Sequence, residues 1–270
     1  MQVHIRHALA MVAALTAASA LPAQQPSRNE ITYAPGAQRY RLVSVVKRTE
    51  QQGGQKAEFT ITNEQQVSVN IARHGKDTLD FSYTLDSTHL STNPPLQVPD
   101  VSRMQGTKVT GSMSPTGKVY AHQSSIAEDD AATRNLVEGM TRFLVTLPAG
   151  AKAGTAWADT ASNSVKSDGN NLDMRTITTS KVLGDTTYAG ERAWRVERTS
   201  VLSLNGDQNQ NGQLLKVAGQ GTGTGMYYVS TAGVYLGSSA TQRMNMTITI
   251  PGGQSVPVMQ EVTSKVELVK

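Results

Sequence analysis

The sequence predicts a mainly β protein: a large curved antiparallel sheet, half-open β-barrel or sandwich, with one amphipathic helix at about residues 125–146. Three observations carry this. Apolar and polar residues alternate with a period of two over most of the chain. Helical spacing of apolar residues appears in one segment. Hydrophobic residues make up 38% of the 270 and charged residues 17%, too apolar for a disordered chain and too sparsely charged for a coiled coil.

Met1 to Ala23 reads as a secretory signal peptide. Arg6, with His4 and His7, forms a short basic leader, and Ala8 to Ala18 is an apolar run. Ala18-Ser19-Ala20 fits the small-x-small cleavage rule, and Leu21-Pro22-Ala23 offers a second cut. An apolar run of ~11 residues is too short to span a bilayer of ~30 Å, so cleavage and export are expected rather than anchoring. No later segment approaches ~18 consecutive apolar residues. The mature chain is therefore expected to carry no integral membrane span and to be periplasmic or extracellular. Gln24 to Glu30 is polar and reads as a disordered lead-in. Residues 31–270 are expected to form one β-rich domain.

Alternation then defines the strands. Phe59, Ile61, Val67, Val69 and Ile71 share one face, with Thr60, Thr62, Ser68 and Asn70 opposite. Leu79, Phe81, Tyr83 and Leu85 repeat the pattern, and His74-Gly75-Lys76-Asp77 between the two runs is a hairpin turn. Met244, Met246, Ile248 and Ile250 alternate with Asn245, Thr247 and Thr249. Val256, Val258, Val262, Val266 and Leu268 close the chain on one parity. Strands of this kind are half-buried and antiparallel.

Between these groups, Leu136, Val137, Met140, Phe143, Leu144 and Leu147 fall at helical spacing. Ser125 and Glu128 have capping-box spacing, and Glu128, Asp129 and Asp130 would supply an acidic first turn rather than a metal site. Pro148 and Gly150 end the helix. A weak repeat relates Ser114-Pro115-Thr116-Gly117-Lys118-Val119-Tyr120 to Ser230-Thr231-Ala232-Gly233-Val234-Tyr235. It suggests two similar halves, 31–124 and 151–270, joined by the helix.

Composition narrows the function. Cysteine is absent, which excludes disulfides, thiolate metal sites, cysteine nucleophiles and a lipidated N-terminal cysteine. Cleavage of the leader leaves 24 basic residues against 21 acidic, a net charge of +3 without a basic stripe. Arg192, Arg195 and Arg198 come nearest to one, but on a strand Arg195 faces away from the other two. Nucleic-acid binding is not expected.

Several local patterns could carry chemistry. Asp207-Gln208-Asn209-Gln210-Asn211-Gly212 matches the opening of a calcium loop, with Asp207, Asn209 and Asn211 as oxygen donors. Ala218 stands where the bidentate Glu belongs, so a polar hairpin turn is the better account. Gly219, Gly221, Gly223 and Gly225 recur every second residue and share one face of a strand. That bare face suits sheet curvature, or a ligand lying close to the backbone, with the adaptable Met244 and Met246 nearby. These six residues form the candidate ligand site.

Catalysis finds little support. There is no G-x-S-x-G elbow, and Ser44 and Lys47 of a formal S-x-x-K would point to opposite faces of a strand. His74, His89 and His122 stand in no ligand spacing. No catalytic residue and no cofactor is predicted.

The order of Gly111-Ser112-Met113-Ser114-Pro115-Thr116-Gly117-Lys118-Val119, then Leu147-Pro148, then Ala153-Gly154-Thr155-Ala156-Trp157 resembles a family of exported bacterial β-rich proteins of unknown function. Thr155-Ala156 departs from it, since an acidic residue commonly follows that glycine. The order covers about two thirds of the mature chain. More distantly, a long curved sheet with few helices is similar to periplasmic lipoprotein and lipid carriers, a resemblance that implies an acyl chain held on the concave face. The leading expectation is a non-catalytic cell-envelope protein that binds an apolar or lipid-like ligand. A protein-interaction or assembly module of the envelope is the alternative, and a hydrolase with distributed carboxylates the third.

Overall fold

A computed structural model describes residues 30–52, 55–95, 100–128, 131–167, 170–210 and 212–269. The predicted signal peptide, the predicted lead-in up to residue 29, and Asn211 of the calcium-like loop lie outside the described residues. Eleven strands follow one another: β1 (Gly36–Gln52), β2 (Gln55–Arg73), β3 (Leu79–Asn93), β4 (Lys108–Met113), β5 (Val119–Ser124), β6 (Ala156–Ser167), β7 (Asn170–Tyr188), β8 (Glu191–Gln210), β9 (Gln213–Ser230), β10 (Tyr235–Thr249) and β11 (Ser255–Val269). One helix, α1 (Ala131–Thr141), separates β5 from β6.

All eleven strands form one antiparallel sheet in the order β5-β4-β3-β2-β1-β11-β10-β9-β8-β7-β6. Every neighbour is sequential except β1 and β11, whose ladder runs from Arg39↔Val269 to Glu50↔Val258. The sheet is thus a meander joined at its chain ends and left open between β5 and β6. It is a large curved sheet, not two packed sheets.

The predicted parity holds. Val67, Val69, Ile71, Leu79, Phe81, Tyr83 and Leu85 are buried, and the chain turns at His74 to Asp77. The register shifts at Gln66/Val67, where Asp86 is the extra residue on β3 and its carboxylate accepts a 2.6 Å hydrogen bond from Ser68 Oγ. Beyond this bulge Thr88 and Leu90, rather than odd-numbered residues, stand across from the inward-facing Gln65 and Asn63.

One end of the sheet wraps round a filled core. Phe143 sits at its centre, with ring centroids 5.0 Å from Tyr40, 5.5 Å from Tyr235 and 5.8 Å from Tyr83. Val182 of β7, Val196 of β8 and Val229 of β9 belong to the same cluster, with Trp157 of β6 packed against it. The phenols reach outward to backbone: Tyr33 donates to Val145 O at 2.9 Å and Tyr40 to Tyr235 O at 2.8 Å. Burial pushes the pKa of Tyr33, Tyr40, Tyr83 and Tyr235 up, so all four stay neutral.

The helix is shorter than predicted. It begins at Ala131, so Ser125 and Glu128 precede it and form no capping box. Ser125 Oγ instead accepts the Lys108 N–H at 2.8 Å, extending the β4–β5 hairpin. Asp129 and Asp130 fall outside the described residues. At the other end α1 stops at Thr141, and Phe143, Leu144, Val145 and Leu147 reach the core from non-helical chain. Pro148 accounts for part of this, because the residue before a proline is driven to extended backbone.

The two similar turns do share a geometry. Ser114 N–H donates to Lys118 O at 2.8 Å, Lys118 N–H to Ser114 Oγ at 3.0 Å and Gly117 N–H to Ser114 O at 3.0 Å. Ser230, Gly233 and Val234 make the same three bonds at 2.7, 2.9 and 2.9 Å. The chain before β1 lies across both: Tyr33 N–H donates to Pro115 O and Ala34 N–H to Gly233 O. Ile31 N–H adds a third bond to Ala151 O.

Candidate functional site

Eight strands have 15 to 20 residues, so the sheet runs well past the aromatic core. A strand of 20 residues is about 65 Å long. The glycine row lies on this extension, on the concave face of β9. Register sets Gly219 between Leu204 and Met246, Gly221 between Leu202 and Met244, Gly223 between Ser200 and Gln242, and Gly225 between Arg198 and Ala240. The six predicted residues are therefore brought together on two adjacent strands.

Their neighbours partly fill the space that the glycines leave. A Cβ on Gly219 would stand 2.7 Å from Met246 Cγ, and one on Gly221 2.5 Å from Arg243 O. At Gly223 the near atom is Ser200 Oγ at 2.5 Å, and at Gly225 it is Tyr227 Cε2 at 3.0 Å. At Gly219 and Gly223 the bare strand thus lets a β10 and a β8 side chain lean over it, and at Gly221 it lets the β10 backbone come close. Leu202, Leu204, Val217 and Met244 are buried there as a second, smaller cluster, with Leu172, Met174, Met246 and Ile248 against them.

Between the two clusters the concave face is polar. Asp159 of β6 pairs across to Thr178 of β7, Thr178 to Ser200 of β8, and Ser200 through Gly223 to Gln242 of β10. One step towards the core, Ser180 of β7 stands beside Arg198 of β8. The Arg198 guanidinium lies 5.3 Å over the Tyr227 ring, a cation–π contact that orients it. Among the described residues, Ser180 Oγ and Gln242 Nε2 are buried without a hydrogen-bond partner. Leaving such a group unmet costs about 1–3 kcal/mol.

Asp159 is half-buried on the edge strand β6. Burial raises its pKa and the nearby Arg198 works against that rise. With a raised folded pKa the native state holds its proton more tightly than the unfolded chain. This term therefore destabilises the fold as pH climbs through the window just above the ordinary aspartate range. Asp159→Asn is expected to be at least as stable as the parent at pH 7, and to lose that part of the slope of melting temperature against pH. A lower melting temperature at pH 7 would mean that attraction to Arg198 outweighs burial.

The other predicted positions are placed as follows. Asp207 lies in the ladder opposite Lys216 and Asn171. Asn209 Oδ1 accepts the Gly212 N–H at 3.0 Å, and Asn209 N–H donates to Asn170 Oδ1 at 2.9 Å. This oxygen is thus already used to close a polar hairpin. Among the described residues, no three His, Asp or Glu side chains gather where they could hold a metal ion. Ser44 faces in and Lys47 out, and His89 and His122 are exposed. At the aromatic end a pocket of about 10 Å³ lined by Tyr40, Ile71, Leu144 and Tyr235 has room for about one water.

Sequence reading missed Asp159, Ser180 and Gln242, and took Arg198 only as part of a basic cluster. The available signal was polarity at inward parity: Thr176, Thr178 and Ser180 are each buried on β7.

No family model matches the chain, so the resemblance to an exported β-rich family rests on its short motifs alone. No curated protein matches it either. Solved structures similar to it include Neisserial surface protein A, at 9% identity over 86% of this chain and 98% of that one, with a TM-score of 0.22. An outer membrane channel from Pseudomonas putida F1 matches at 8% identity over 91% of this chain and 100% of that one, with a TM-score of 0.19. At those TM-scores the likeness carries no argument about fold or role.

Proposed function

We propose that this is a non-catalytic exported protein of the bacterial cell envelope, one that holds an apolar, lipid-like ligand in the open end of its curved sheet. The observation that carries the reading is the uneven filling of the concave face. At the aromatic end the core is packed. Beyond the aromatics, from the level of the polar belt outward, Val46, Phe59, Ile61, Leu90, Val262 and Met246 face inward yet keep part of their surface exposed, while Leu202, Leu204, Met244, Val256 and Val258 on the neighbouring strands are buried. Apolar side chains turned inward but left uncovered mark a ligand-binding surface.

Export is supported by the leader Met1 to Ala23. The outward face argues for an aqueous surrounding. It carries the ion pairs Arg41–Glu64 at 2.9 Å, Arg243–Glu261 at 2.6 Å and Lys265–Glu267 at 2.6 Å. A membrane-spanning barrel would instead present an apolar band about 25 Å tall. Among the described residues, no helix is long and apolar enough to cross a membrane.

The test is native mass spectrometry of the mature protein purified gently from the periplasm. The expected result is a co-purifying apolar mass released by denaturation. A bare protein mass that takes up nothing from a lipid extract would overturn the ligand reading. It would favour the interaction module, which has one observation of its own: β6 is a twelve-residue strand at the edge of the sheet, open to pairing with a partner strand.

A further inference from the structure

We infer that the open edge of β6 is a dimer interface, at which β6 pairs antiparallel with β6 of a second copy about a twofold axis through Ala161. The inference is independent of what the concave face holds. Val182 N–H donates to Thr155 O at 2.9 Å, so alternation along the ladder commits the backbone groups of the odd-numbered β6 residues to β7. The even-numbered residues Ala156, Ala158, Thr160, Ser162 and Ser164 turn their N–H and C=O groups away from the sheet. All five are exposed, and β7 is the one strand beside them. The other edge is protected in two ways: β5 has six residues, and α1 packs against it. Strand β4 pairs with β3 only from Leu79 to Thr84. Asp159 shares its row with Thr92 of β3, well past that pairing, so β4 and β5 do not stand across the opening from it.

A row of free N–H and C=O groups is met by another strand, and this edge is complementary to itself. With Ala161 on the axis, the free backbone groups of Thr160 pair with the partner's Ser162, and those of Ala158 with the partner's Ser164. These side chains are small and uncharged, so two edges can close to the ordinary strand spacing of about 4.8 Å. On the concave side Ala161 faces its own copy, and Asp159 faces the partner's Asn163, whose amide can donate to the carboxylate. Asn163 is the one amide side chain in β6, so this register alone sets it opposite Asp159. An axis through residue 159 would instead oppose two carboxylates, which is unfavourable. The contact is isologous and closes at two copies, joining two eleven-stranded sheets into one.

Sedimentation velocity of the purified mature protein should show a reversible dimer. Thr160→Pro should raise its dissociation constant about tenfold or more, the scale of the two central backbone bonds that it removes. Proline is tolerated there because the lost N–H points away from β7, so the fold should be retained. The chain has no cysteine, so an introduced thiol reports the register by itself. Ala161 and its copy would form a non-hydrogen-bonded pair with Cα atoms about 4.5 Å apart, inside the disulfide range of about 4.4–6.8 Å. Ala161→Cys should therefore give a covalent dimer on mild oxidation, whereas Ala158→Cys, which faces the partner's Ser164, should stay unlinked. A parent that is monomeric at about 0.1 mM would overturn the inference. So would a dimer that Thr160→Pro leaves unchanged, or equal cross-linking of the two cysteine variants. Should Thr160→Pro fail to fold, the cysteine pair decides.

Discussion

Phe143→Ala is expected to destabilise the protein by about 3–5 kcal/mol, the range for removing a buried aromatic side chain. The ring lies among Tyr40, Tyr83 and Tyr235, which come from β1, β3 and β10 and so from both halves of the sheet. Truncation would leave a cavity that the three rings cannot readily collapse into, because each sits on a paired strand and the Tyr40 hydroxyl is pinned to Tyr235 O. Urea unfolding followed by tryptophan fluorescence would measure the loss. A cost below about 1 kcal/mol would show that the segment after α1 is not the centre of the core. Phe143→Leu keeps most of the volume and should recover a large part of the stability.

Gly233→Ala should produce the second largest effect, and through the backbone rather than through a cavity. Gly233 has a φ of +85°, and an added Cβ would stand 2.6 Å from Thr32 O and 2.8 Å from Ala34 N. Left-handed backbone at a non-glycine residue costs about 1–3 kcal/mol. Here the clash also pushes away the strap that crosses both hairpin turns. Gly212→Ala is the control: its φ is +79°, but nothing lies within 4 Å of the added atom. Gly233→Ala should therefore lower the urea midpoint clearly more than Gly212→Ala and expose residues 31–34 to limited proteolysis. Equal losses in the two variants would mean that the strap contributes nothing.

How far the sequence discloses this fold depends on the range of the interaction. Strand faces are local: alternation around Val67 to Leu85, or around Val256 to Leu268, places each side chain correctly without knowledge of its partner strand. The turn at His74 to Asp77 is local too. The helix was overextended because Phe143, Leu144 and Leu147 keep helical spacing after the helix has ended, and tertiary packing sets where they point. The β1–β11 ladder joins residues more than 200 positions apart and leaves no local trace. For the same reason the polar belt was invisible. Asp159, Ser180, Arg198 and Gln242 become neighbours only through the registers of five strands.

That seam between β1 and β11 has a consequence for how the molecule is made. Strand β1 is synthesised first and its partner last, and every other ladder in the sheet pairs segments that follow each other. A chain emerging from its N-terminus can zip β1 to β5 and then β6 to β11 as hairpins, most of them closed over a short loop. The final seam waits for the whole polypeptide, and its closure carries the largest entropic cost of any pairing in the fold. Until then β1 offers an uncovered edge with Val43, Val45 and Val46 along it. Joining the two ends through a short linker and opening the chain at the exposed residues 152–154 would turn the last step into another local hairpin, and the rearranged protein should refold faster than its parent.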